Sequence, residues 1–113
     1  MRVRFRISLY EDDKRLRKSD FAGRKDPLSV GLRYITEFKY LEATKWLLVS
    51  PDSWEKYILL GLINLALGQE EQAHEFLNLS ESNERATGYR VFVENPENGF
   101  VKEIKKPADI SGL

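Results

Sequence analysis

Trp54, Tyr57, Ile58, Leu59, Leu60, Leu62, Ile63, Leu65 and Leu67 stand within fourteen consecutive residues. At 3.6 residues per turn they occupy every side of a helix. A helix apolar all round is either covered on both sides or embedded in a membrane. A membrane span takes roughly 18 or more consecutive apolar residues, and this run is shorter and begins beside Glu55 and Lys56. The segment therefore predicts a buried helix over Trp54 to Leu67, for which something must supply cover. Three sources are open: a β-sheet of the same chain, a second copy, or an apolar helix of a partner.

A chain of 113 residues has the length of one domain, which typically runs to about 100–150 residues. Hydrophobic residues make up 42% and charged residues 32% of it, a mixture that supports a folded core and excludes wholesale disorder. With no cysteine and one histidine, the chain offers no disulfide scaffold, thiolate zinc site, cysteine nucleophile or multi-histidine metal site. The opening MRVRFRISLYEDD mixes charge and bulk and lacks the apolar run of a secretory signal. A cytoplasmic location is the expectation, without membrane association.

The hydrophobic period changes twice along the chain. Val3, Phe5, Ile7 and Leu9 alternate with Arg2, Arg4, Arg6 and Ser8, the period of a half-buried strand spanning 1–10. Residues 11–25 are dense in charge, hold Leu16 and Phe21 as their large apolar residues, and read as a basic linker. Asp26-Pro27 is a helix-start signal, since Asp caps an orphan amide and Pro lacks one. Helical spacing then runs from Leu28 to Val49, with a break expected near Glu37 to Lys39. Ser53 is the expected cap of the apolar helix, Gly68 its stop, and Glu70 to Leu79 a further helix with acids in its first turn. Residues 88–106 return to strand alternation around Asn95, Pro96, Glu97, Asn98 and Gly99, which predicts a β-hairpin. Two strands alone are marginal in water, so segments 2–10, 89–94 and 100–105 are expected to form one small antiparallel sheet. The fold class is thus α+β in a single domain.

A shift of 30 residues aligns Gly31 with Gly61, Leu32 with Leu62, Ala43 with Ala73, Leu47 with Leu77 and Ser50 with Ser80. Such a period marks repeated supersecondary units. In the second unit Tyr57, Leu60-Gly61, Gly68, Ala73 and Leu77 follow the pattern of the tetratricopeptide repeat, with Pro51 ahead of them. Val30-Gly31, Tyr34, Ala43 and Leu47 do so in the first unit, where Phe38 stands at the turn-glycine position. Residues 27–80 therefore resemble two tetratricopeptide-like helical hairpins, within a helical segment over 26–80. The resemblance implies a protein-binding adaptor whose concave, ligand-facing positions are Leu28, Leu32, Ile35, Ile58, Leu62 and Leu65.

The net charge of zero conceals a segregation. Residues 1–25 carry nine basic and four acidic groups (9 − 4 = +5), and residues 26–87 five basic and ten acidic (5 − 10 = −5). The basic arm either complements an acidic body, its own or that of a second copy, or steers a polyanion. In the second case Arg2, Arg4, Arg6, Lys14, Arg15, Arg17 and Lys18 would be nucleic-acid contacts. No nucleophile and base can be paired, and no nucleotide-binding glycine motif occurs. The expectation is accordingly not an enzyme, with no cofactor, but a protein-interaction module with a partner of unknown identity, and a homo-oligomer among the arrangements it allows.

Overall fold

Alternation of Ile7 and Leu9 with Ser8 and Tyr10 builds the first strand, β1 (Arg6–Glu11), in a computed structural model that describes residues 3–111. The chain continues through β2 (Lys14–Arg15), a 3-10 turn (Lys18–Phe21), α1 (Pro27–Thr36), α2 (Tyr40–Val49), α3 (Trp54–Ala66), α4 (Glu70–Ser80), β3 (Arg90–Asn95), β4 (Phe100–Ile104) and a second 3-10 turn (Pro107–Ile110). The four strands form one antiparallel sheet in the order β2-β1-β3-β4. The protein is therefore of the α+β class.

Register gives the sheet one apolar face. Ile7 lies opposite Val93, Leu9 opposite Val91, and Val91 opposite Ile104, and all five are essentially inaccessible. They enter a single core with Leu32 and Ile35 of α1 and Ile58, Leu59, Leu60, Leu62 and Ile63 of α3. Helix α3 is buried on nearly every side, as its composition demands, and the chain itself provides the cover.

Three expectations need correction. The first strand spans Arg6–Glu11 instead of 1–10, because the residues before it run to the end of α3, where the Arg4 N–H donates to the Ala66 carbonyl at 3.0 Å. Arg2 lies outside the described residues. The segment 11–25 is not a linker. Asp12 takes a left-handed conformation, φ 53°, that turns Lys14–Arg15 back onto β1, and the Leu16 N–H donates to the Leu9 carbonyl at 2.8 Å. Leu16 and Phe21 are then buried, so two apolar anchors hold the charged segment down. The sheet consequently has four strands and not three.

Local chemistry sets the helix boundaries. The Asp26 carboxylate accepts from the Ser29 N–H at 3.0 Å, and this bond holds its pKa below the usual carboxylate value. The Ser53 hydroxyl accepts from the Lys56 N–H at 3.1 Å. Gly31 and Gly61 permit the close approach of each helical pair: a Cβ on Gly61 would stand 2.5 Å from Leu77 Cδ2, and one on Gly31 3.1 Å from Leu47 Cδ2. The 30-residue period is thus also a period of contacts. The Ser50 and Ser80 hydroxyls donate to the carbonyls of Leu47 and Leu77, at 2.7 and 2.6 Å.

Candidate functional site

The six positions expected to line a binding groove do not form an open one. Leu32, Ile35, Ile58 and Leu62 are buried, and Leu28 and Leu65 are half-buried against the same core. The inner faces of α1 and α3 pack into the core that also takes the apolar face of the sheet, so no surface is left there for a peptide. Leu28 and Leu32 still border a cleft of about 440 Å³ at the N-termini of α1 and α3, together with Arg24, Asp52 and Tyr89. Its polar groups are engaged internally. Asp26 and Ser53 cap their own helices, and the Arg24 guanidinium donates to the Tyr89 hydroxyl at 2.9 Å.

Four of the six described candidate cations of the basic arm have partners within the chain. Arg4 pairs with Glu70 at 3.1 Å, Lys14 with Asp20 at 2.7 Å, and Arg15 with Glu94. The guanidinium of Arg6 stands 4.8 Å above the Phe38 ring. Arg17 and Lys18 are exposed. The structure therefore does not bring the cationic groups of residues 4–18 together as one free strip; three of them are neutralised by acids of the same chain.

The repeat itself exposes what sequence reasoning passed over. Phe38 and Gly68 occupy equivalent turns: both have positive φ, 59° and 84°, and their N–H groups donate to the carbonyls of Ile35 and Leu65, each at 3.0 Å. Glycine enters this region freely, whereas an L side chain is opposed there by about 1–2 kcal/mol. Phe38 holds the conformation nonetheless, and the residue is 45% exposed.

The helices that follow diverge on their outer faces. In α4 the exposed positions carry Glu71, Gln72, Glu75 and Asn78, as a wet helix face should, and Leu79 is the large apolar side chain beside them. The equivalents of the first four in α2 are Leu41, Glu42, Lys45 and Leu48. Leu48 and Val49 are 50% and 67% exposed, with Leu41 and Trp46 exposed beside them. Phe76 of α4 is partly sheltered by stacking on Tyr57 at 6.4 Å, but the residue 30 positions before Tyr57 is Pro27, which offers Trp46 no aromatic equivalent. The signal was present in the sequence. Seven of the ten residues in YLEATKWLLV are apolar, and Tyr40, Ala43 and Leu47 suffice for the buried side.

Among the described residues, no group of three or more His, Asp or Glu could hold a metal ion. No described helix is long and apolar enough to cross a membrane. Compared with protein-family models, with curated proteins and with solved structures, the chain gives no match.

Proposed function

We propose that this chain is a small protein-interaction module, built on two tetratricopeptide-like helical units, that docks a protein through the outer face of α2. The observation that carries the reading is the exposed group Leu41, Trp46, Leu48 and Val49, gathered on one short helix and continued by Phe38 at its N-terminal end. Scattered exposed apolar residues are ordinary; a grouped patch is the mark of an interaction surface. The repeat supplies an internal control, since the same architecture in α4 tolerates a largely polar outer face. Apolar side chains on α2 are therefore not a requirement of the fold. A nucleic-acid role for the arm draws less support, because Arg4, Lys14 and Arg15 already face acids of the same chain.

Site-specific photocrosslinking in cells tests the reading. A benzophenone side chain in place of Leu48 is expected to give discrete protein adducts, and the same group in place of Asn78 on α4 none. An absence of adducts at Leu48, or equal yields at both positions, overturns it.

A further inference from the structure

The geometry points to a second copy of this chain as the occupant of the α2 face, laid antiparallel across it about a two-fold axis. The inference rests on the docking role proposed for that face and adds the identity of the partner. The face carries two charges of opposite sign, Glu42 and Lys45, three residues apart and both exposed. A two-fold axis between Ala43 and Thr44 sets Glu42 of each copy against Lys45 of the other. Leu41 and Leu48, seven residues apart, share one flank of the helix, so the same operation sets Leu41 of each copy against Leu48 of the other, while Val49 meets the turn that holds Phe38. The face is thus complementary to itself in charge and in apolar content, the condition an isologous interface must satisfy.

The outer face of α4 does not meet this condition. Helix α4 carries Glu70, Glu71 and Glu75 with neither lysine nor arginine, so under the equivalent operation its acids find no cation on the second copy. The whole chain has a formal net charge of zero, so no long-range repulsion opposes pairing. A ten-residue helix is about 15 Å long at 1.5 Å per residue. That length keeps the patch below the roughly 800 Å² per partner of a standard interface, and the dimer is reversible and concentration-dependent.

Sedimentation velocity on the full chain over a concentration series tests the inference. The wild type is expected to pass from 13.2 kDa to twice that mass. Lys45→Glu and Glu42→Lys, each checked for unchanged circular dichroism, are expected to weaken dimerisation at least tenfold. An equimolar mixture of the two variants is expected to restore it, because two acids on the face of one chain then meet two lysines on the face of the other. A wild type that stays monomeric throughout, single variants that dimerise as well as the wild type, or a mixture that fails to recover each overturns the proposal. A monomeric wild type whose position 48 crosslinks another protein removes the self-partner and leaves the docking role standing; no adducts at that position removes both.

Discussion

Phe38 and Gly68 perform one backbone task with opposite side chains, and the comparison isolates what the phenyl group does. Replacing Phe38 with Gly relieves about 1–2 kcal/mol of left-handed strain. Against this stand a lost Arg6 contact of about 0.5–1 kcal/mol and a gain in unfolded-chain entropy worth about the same. Phe38→Gly is thus expected to leave stability in urea within about 0.5 kcal/mol of wild type while weakening dimerisation; a loss above about 1 kcal/mol rejects this balance. Tyr40 does different work at the neighbouring position. Its buried hydroxyl accepts from the Ile7 N–H at 2.9 Å, on the edge of β1 that the two-residue β2 leaves uncovered, and burial pushes the phenol from 10.0 up to about 12. A raised folded-state pKa means the fold favours the protonated form. That contribution is complete below pH 10 and lost as pH rises towards 12. Tyr40→Phe leaves a buried N–H unsatisfied, so unfolding at about pH 8 should show a loss of about 1–3 kcal/mol. The variant should also have a flatter stability profile than wild type between pH 10 and 12.

At the scale of elements, the two helical pairs are held in register by their small residues, but their connections are held by buried charge. Glu55, almost wholly buried in the first turn of α3, accepts from the Ala86 N–H at 2.8 Å and from the Thr87 N–H and hydroxyl, both at 2.7 Å. Lys56 beside it donates to the carbonyls of Leu48 and Ser50, at 3.2 and 2.8 Å, at the end of α2. Adjacent residues of α3 thereby pin the chain that leaves α2 and the chain that leads to β3. Glu55→Ala is expected to lower stability by about 3 kcal/mol. Hydrogen exchange should show the loss of protection concentrated at the amides of Ala86 and Thr87; protection unchanged at those two sites would remove the pinning role. Sequence reading placed α3 as a buried helix and took Glu55 and Lys56 as a polar flank. It missed them because their partners are set by the path of residues 48–52 and 84–87, which no local period encodes.

The whole molecule answers what covers α3. The two helical pairs share one core with the apolar face of the sheet. Fully burying a large apolar side chain contributes about 1.5–3 kcal/mol, so uncovering Leu32, Ile35, Ile58 and Leu62 together would remove about 6–12 kcal/mol, as much as a typical domain's entire stability. A fragment of residues 26–88, without β1, β3 and β4, is therefore expected to show no cooperative thermal transition by circular dichroism. A sharp transition like that of the full chain would mean that the helical pairs stand alone.

The division between what was legible and what was not follows the range of the forces. Asp26-Pro27, Ser53 and Gly68 mark helix ends through hydrogen bonds between near neighbours in the chain, and alternation in ISL and VFV marks strands through the backbone's own period. These the sequence determined by itself. The segment 11–25 was misread because Leu16 and Phe21 count for little in composition but a great deal once a core is present to receive them. The groove positions were identified as apolar, but what covers them was left among three sources: whether Leu62 faces a partner or the chain's own core depends on strands that come from the two ends of the chain. Only the tertiary structure decided that the inner face is closed and the outer face of α2 exposed, because burial belongs to the arrangement of elements and not to any one of them.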